Sequence, residues 1–302
     1  MERISIIMVT YNSADVIRSC LQSIREQLTE PTAAEIIVVD NASADGTQEI
    51  LREELRGGVI LLNSVNRGFA AAVNRALGKI SGDIILLINP DTVVEDLFFM
   101  NLRNFFCNHP EECLAGPLVT DTSGGRQPSC WQVPSLWTLA LECFLPHAWS
   151  TPLVTLSPNA TCEVEMVSGV CLAMRRGVYE TVGGLDERFF MFYEDADYCR
   201  RARLRGFRVF FVAEMRIRHH VSSSSSRNFS EFLRRIYRSR LQCIGKYHSA
   251  VYVLCARAIC FAGMCVKIPA YAVSGVITGR KKWFSLARNH ASAIPGIFGS
   301  LE

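Results

Sequence analysis

The chain begins with an almost wholly apolar run, Ile4 to Val9, the signature of a strand buried on both faces. Ser13 then stands where it can cap a helix in which Val16, Ile17, Cys20, Leu21 and Ile24 recur at helical spacing. A second buried strand, Ile36 to Val39, ends in Asp40, and Asp45-Gly46-Thr47 opens a helix through Leu51 and Leu55. Val59 to Leu62 reads as a third strand and Phe69 to Ile80 as an alanine-rich helix. Gly82-Asp83 turns the chain into a fourth strand, Ile84 to Ile88. This β-α-β-α alternation predicts an α/β fold, a mostly parallel sheet with helices on both faces.

After residue 110 the pattern weakens. Residues 120 to 160 are rich in Thr, Ser, Pro and Trp, which predicts irregular or mobile structure. Regular signal returns in a strand-like segment from Glu163 to Met174 and a short helix from Arg176 to Val182. A helix from Glu194 to Arg205, a strand from Phe207 to Val212 and a basic helix from Phe229 to Lys246 follow. Five consecutive serines, 222 to 226, read as a flexible loop. The final stretch, Val251 to Ile277, is strongly apolar but carries Arg257, Lys267 and Pro269. Each cation near a bilayer centre costs roughly 2.5–3.5 kcal/mol, which disfavours clean spanning. Lys246 and Arg257 fall close together on a helical wheel, with Lys267 to one side. That placement predicts a helix lying in the membrane surface, basic face toward anionic lipid, joined there by the arginines at 234, 235, 238 and 240. The alternative is a helical hairpin packed on the protein's own core, or a contact between two copies in a homo-oligomer.

Composition adds limits. Net charge is +3 over 302 residues, too little to imply nucleic-acid binding. The 12 cysteines include no C-x-x-C pair and read as reduced, mostly buried thiols. The N-terminus enters a strand pattern directly, without the look of a signal peptide. Asn159-Ala160-Thr161 fits a glycosylation sequon but carries little meaning in a cytoplasmic protein.

The candidate chemistry lies at the ends of the predicted strands, where open α/β sheets bind ligands. Thr10-Tyr11-Asn12 follows the first strand; Tyr11 can stack on a base, although an ordinary turn would read the same way. Asp40 at the tip of the second can accept hydrogen bonds from a ribose or a pyrimidine edge. Its neighbours Asp45 and Thr47 are explained as helix caps. Asn66-Arg67-Gly68-Phe69 opens the third helix with free N–H groups and a cation suited to an anion, and Asn74 follows near one turn on. It is not G-x-G-x-x-G, which argues against a dinucleotide-binding oxidoreductase. Asn89-Pro90-Asp91 ends the fourth strand, where an acid could hold a divalent ion on a diphosphate. Glu194-Asp195-Ala196-Asp197 begins a helix, where acids suit the dipole. Three of them beside Phe189, Phe190, Phe192 and Tyr193 exceed what capping requires, and aromatic platforms hold sugar rings. His219-His220 could complete a metal site.

Taken in order, Val9-Thr10-Tyr11-Asn12, Val38 to Ser43, Asn66-Arg67-Gly68-Phe69, Asn89-Pro90-Asp91, Gly183-Gly184-Leu185-Asp186-Glu187 and Glu194-Asp195 resemble glycosyltransferase family 2, most of all its rhamnosyltransferase-like subgroup. The resemblance covers roughly residues 3 to 240. It implies a GT-A fold, a nucleoside-diphosphate sugar donor, a divalent cation (Mg2+ or Mn2+) and inversion at the anomeric carbon. Asp195 would be the catalytic base. Thr10, Tyr11, Asn12, Asp40, Arg67, Gly68, Asn74, Asn89 and Asp91 would line the donor site, and Gly169, Phe192, Tyr193 and Glu194 the acceptor site. Asp91 and His219, in preference to His220, would hold the metal. Asn89 stands where the family's D-x-D motif has its first acid, which weakens the metal site but is shared by the rhamnosyl-type subgroup. The implied division is a transferase domain over residues 1–245, nucleotide-binding to about 115 and acceptor-binding beyond. An apolar helical tail over 246–302 follows, placing the protein on the cytoplasmic face of the plasma membrane beside a lipid-linked glycan acceptor. The competing reading, an inactive glycan-binding or scaffolding homologue, is disfavoured by the intact Asp40, Asp91 and Asp195.

Overall fold

The structure, a computed structural model, describes residues 2–28, 33–145, 155–156, 158–220 and 229–299. The serine run, and part of the stretch expected to be irregular, lie outside these. The elements in chain order begin with β1 (Ile4–Thr10), α1 (Ile17–Gln27), β2 (Ala34–Asp40), α2 (Thr47–Glu54), β3 (Val59–Leu62), α3 (Phe69–Leu77) and β4 (Ile84–Ile88). Next come β5 (Thr92–Val94), α4 (Phe98–Asn108), β6 (Cys113–Thr120), β7 (Arg126–Gln127), β8 (Cys130–Trp131), α5 (Leu136–Phe144) and β9 (Thr155–Leu156). Then follow β10 (Cys162–Glu163), β11 (Met166–Val167), β12 (Cys171–Arg175), α6 (Arg176–Val182), α7 (Glu194–Leu204) and β13 (Arg208–His219). The chain closes with α8 (Phe229–Tyr247), α9 (Ala250–Thr278), α10 (Lys281–Ala293) and α11 (Pro295–Phe298). The chain forms two compact units. The first takes residues 1–131, 156–190 and 194–221, and the second residues 132–155, 191–193 and 222–302. The division thus differs from the expected cut after residue 245, because α5 and α8 fold with the tail.

The first unit is built on one mixed sheet, ordered β10-β13-β6-β12-β4-β1-β2-β3. β1 and β4 are buried along their whole length, as their unbroken apolar runs demand. β1, β2, β3 and β4 are parallel, as the alternation predicts. β12 is not: it runs antiparallel to β4 and to β6. The strand read at Phe207 to Val212 continues through Met215 to Arg218 as one strand, β13. A bulge between Val212 and Arg216 bends it and carries its end onto β5. Ile6, Met8, Leu86 and Ile88 pack with Ile17 and Leu21 of α1 and with Phe98, Leu102 and Phe106 of α4 in the main core. The sequence order turns back between β1 and β4, so the crevice outside Thr10 and Ile88 is the expected ligand position.

The second unit is helical. α5 starts with a reciprocal cap between Ser135 and Thr138. Leu139, Tyr237, Leu241, Ile244, Cys260 and Met264 form its core. Here the structure corrects the expected amphipathicity of the tail. Lys267 turns inward to donate to the Glu142 carbonyl at 2.6 Å, and Arg257 donates to the Gly299 carbonyl at 3.0 Å. Arg234 and Arg235 pair with Glu231, while Arg240 is buried against Glu142 and the Tyr193 hydroxyl. The outer face of α9 is instead apolar. Val251, Leu254, Phe261, Val273, Val276 and Ile277 are exposed, and no charged residue shares that face. At 29 residues, α9 is long and apolar enough to cross a membrane.

Candidate active site

The strand tips of the first unit carry three connected groups of residues. In the first, Thr10 and Asp40 are register partners on β1 and β2. Asp40 is fully buried and accepts from Thr10 Oγ1 (2.9 Å), Ser43 N (3.0 Å), Ser43 Oγ (2.5 Å) and Gln48 Nε2 (2.8 Å). A carboxylate offers about four lone-pair positions, and here all are taken. Asp40 therefore shapes its loop first, and a base edge reaches it only by displacing Ser43 or Gln48. Asn12 adopts a left-handed backbone (φ 51°), accepts from Ala44 N through its side chain and donates its own N–H to Ser43 Oγ. That lacing leaves the Tyr11 ring half exposed at the crevice.

Asn41, buried beside Asp40, ties the second group to the first. It donates to the Gly68 carbonyl (2.9 Å) and accepts from Asn63 Nδ2 (2.7 Å). Gly68 sits at φ 86°, and a Cβ there would lie 2.5 Å from the Phe190 carbonyl, so only glycine fits this approach. The same carbonyl accepts the Phe69 N–H at 2.8 Å, so one of the helix-start donors expected for an anion is already used. Arg67 is exposed and has no ion pair among the described residues. Asn74 departs from its expected donor role. Its amide is committed to both backbone groups of Leu185 (2.8 Å each) and to Glu187 (2.9 Å), so it pins the Gly184-Leu185 turn.

The third group joins the two acidic segments. Asn89 N donates to the Val170 carbonyl at 2.9 Å, and Gly169 N donates to Asp195 Oδ2 at 2.7 Å. Asp91 lies two residues beyond Asn89, roughly 8 Å of chain, so both carboxylates belong to the same strand tips. Asp195 also accepts from Ala196 N at 2.8 Å. Burial raises its carboxyl above the ordinary range, and these backbone donors oppose the rise. Glu194 is more deeply buried, and its Oε2 has no hydrogen-bond partner. Burial, then the Asp195 charge, push it up to about 8. Asp197 is fully buried and paired with Arg201 at 2.8 Å, while Arg201 also holds the Val182 and Gly184 carbonyls. Of the three acids, only Asp195 is both partly accessible and without a cationic partner at its oxygens.

At the end of β13, His219 is the register partner of Thr92, and His220 N donates to the Asp91 carbonyl. His219 Nε2 lies 3.4 Å from Asp91 Oδ1, a buried oxygen without a hydrogen bond. His219 Nδ1 lies 2.9 Å from Gln127 Oε1. No group of three His, Cys, Asp or Glu side chains placed to hold a metal ion is present among the described residues. A nitrogen and a carboxylate oxygen side by side, with an orphaned buried lone pair, nevertheless fit a cation that takes its other ligands from a diphosphate and water. Phe192 and Tyr193 directly precede the acidic segment. Both belong to the second unit, where Phe192 packs edge-on against Phe232 and the Tyr193 hydroxyl meets Arg240. Both hold left-handed backbones, φ 72° and 67°, immediately before Glu194. Such strain typically costs about 1–3 kcal/mol per residue and gathers at functional sites.

The sequence model of the family described as Glycosyl transferase family 2 matches residues 5–183. The chain belongs to glycosyl transferase family 2. An N-acetylglucosaminyl-diphospho-decaprenol L-rhamnosyltransferase of Mycobacterium tuberculosis is 28% identical over 261 residues, 81% of this chain and 84% of that one. A low-salt glycan biosynthesis hexosyltransferase, Agl10 of Haloferax volcanii, is 25% identical over 67% of this chain and 62% of its own. Among solved structures, the mannosyltransferase PcManGT of Pyrobaculum calidifontis, in complex with GDP-Man and Mn2+, matches with a TM-score of 0.61 and 18% identity. That match covers 98% of this chain and 86% of PcManGT. S. aureus TarS 1-349 with UDP-GlcNAc matches with a TM-score of 0.55 and 16% identity, covering 97% and 82%. The fold of this family 2 glycosyltransferase is therefore GT-A, with a helical C-terminal region.

Sequence reasoning gave Gln127 no role, Phe190 only a place among the aromatics beside the acids, and Asn41 only a place in a motif. Asn41 stands directly after Asp40, but its bonds to Gly68 and Asn63 cross 27 and 22 residues. Phe190 acts through its carbonyl and Gln127 through a contact 92 residues away, so neither leaves a local signal.

Proposed function

We propose that this glycosyltransferase moves a sugar, rhamnose by analogy with its mycobacterial relative, from a nucleoside diphosphate to a hydroxyl of a lipid-linked glycan, with inversion. The observation that carries the reading is the link from Asp195 through Gly169 and Val170 to Asn89, two residues from Asp91. It supports a reading in which Asp195 would serve as the base and Asp91 as the diphosphate-binding acid of one site. Tyr11 would stack on the base of the donor, Asn12 and Asp40 would fix its loop, and Arg67 would meet the diphosphate. Asp91 and His219 would hold a divalent cation, whose charge would neutralise the departing diphosphate. The Asp195 carboxylate would take the proton of the acceptor hydroxyl as its oxygen bonds the anomeric carbon and the bond to diphosphate breaks. A carboxyl raised by burial is the stronger base, and a neutral Glu194 leaves it unopposed at pH 7. The test is transfer from nucleoside-diphosphate rhamnose to polyprenyl-diphospho-N-acetylglucosamine, with and without chelator, reading product configuration by NMR. Retention at the anomeric carbon, or undiminished turnover in chelator, would remove the corresponding part of the reading.

The exposed apolar face of α9 supports a place on the inner face of the plasma membrane. The inner side of this helix packs on α5 and α10, so its outer face would be the one to meet lipid. Isolated exposed valines need no explanation, but a continuous apolar stripe roughly 43 Å long does. Arg280, Lys281 and Lys282 are exposed at its C-terminal end, followed by Trp283 and Phe284, a composition suited to an anionic headgroup layer. Flotation with phosphatidylglycerol-containing vesicles should recover the full chain and lose the variant Val276→Asp/Ile277→Asp. Resistance to carbonate would show spanning instead, and a concentration-dependent dimer without vesicle binding would show a self-association face.

A further inference from the structure

We propose that Gln127 is a positioning residue that selects the Nδ1–H tautomer of His219 and so keeps Nε2 bare beside Asp91. The inference rests on Asp91 and His219 being the cation ligands. It begins with the hairpin between β6 and β7. Asp121 accepts from the N–H groups of Ser123 and Gly125, both at 2.8 Å, and closes the turn. β7 pairs with β6 at Val119↔Gln127, and β6 pairs with β13 at Thr120↔Arg218, which brings Gln127 to His219.

For the neutral ring, two contacts then leave a single proton arrangement. Gln127 Nε2 donates to the His219 carbonyl at 3.2 Å, which fixes the direction of the amide. Its Oε1 must therefore face the ring, 2.9 Å from Nδ1. An amide oxygen has no proton to give, so Nδ1 donates. A neutral imidazole has one N–H, and Nε2 is left with its lone pair. That lone pair lies 3.4 Å from Asp91 Oδ1, a buried oxygen with no hydrogen bond. Without Gln127 the ring is free to carry its proton on Nε2 and donate to Asp91. That ordinary hydrogen bond would occupy both lone pairs a cation needs. Groups that orient a metal-binding histidine in this way typically contribute 10–100-fold in affinity.

The experiment uses the full chain. With 15N-labelled histidine and no metal, the His219 ring should show Nδ1–H in wild type and in Gln127→Glu, whose carboxylate still accepts. It should show Nε2–H in Gln127→Leu. Mn2+ affinity, read by EPR on the free protein, should fall about 10–100-fold in Gln127→Leu and recover in Gln127→Glu. Gln127→Asn, one methylene too short, is a second loss variant should the leucine protein fail to fold. Unchanged tautomer and Mn2+ affinity in the folded loss variant overturns the role of Gln127. If His219→Ala itself binds Mn2+ as wild type does, the cation reading fails, which is a separate result from a loss in His219→Ala with none in Gln127→Leu.

Discussion

Replacing Glu194 by glutamine should change how stability depends on pH, by an amount that follows from its surroundings. The carboxyl is 7% exposed, Oε2 has no hydrogen-bond partner, and Asp195 is adjacent. Burial first, and the Asp195 charge second, push it from 4.5 up to about 8. An unfolded chain releases this proton near pH 4.5, whereas the folded chain holds it until about pH 8. Between those values the folded state binds more protons, so stability must fall as pH rises. The fall is roughly 1.4 kcal/mol per pH unit, about 5 kcal/mol in all, and it stops above pH 8 because both states are then ionised. Glutamine is nearly isosteric and releases no proton in either state. The stability of Glu194→Gln relative to wild type should therefore rise steadily from about pH 5 and level off beyond pH 8. Urea unfolding of both proteins at pH 5, 6, 7, 8 and 9, followed by circular dichroism, measures this. Parallel curves across that range would refute the reasoning and show that Glu194 is ionised in the fold.

Transfer at pH 7 should survive Glu194→Gln, whereas Asp195→Asn should lose about 10²–10⁴ in turnover while donor affinity, read by calorimetry, is kept. Gly169→Ala would place a Cβ 3.3 Å from Asp195 Cβ and Oδ2, so kcat should fall with little change in donor KM. Asp197→Asn leaves Arg201 without its buried carboxylate and should lower unfolding free energy by about 3–5 kcal/mol, seen as a lower melting temperature. Asp91→Ala should abolish the Mn2+ dependence of donor binding, and a titration unchanged in that variant would remove Asp91 from the site.

The sequence by itself determined the parallel part of the sheet. Runs such as Ile4 to Val9 and Ile84 to Ile88 can be stable only when covered on both faces, and helical periodicity between such runs leaves few topologies. It also determined that Asp40, Asn89 and Asp91 end strands, because an apolar run that stops in a polar residue marks its own tip. The choice of Asp195 over its neighbours was only partly legible, since Glu194, Asp195 and Asp197 look alike in the chain. The structure separates them by burial and partners: one is orphaned, one is held by Gly169, one is locked to Arg201. Tertiary structure alone decided which way the tail faces, because a helical wheel shows which residues share a side but not what covers it. Lys267 and Arg257 found carbonyls inside the second unit, and the valines were left outside. It alone turned Asn74 to the Leu185 turn and brought Gln127 to His219, contacts across 111 and 92 residues that depend on strand order rather than on any local pattern.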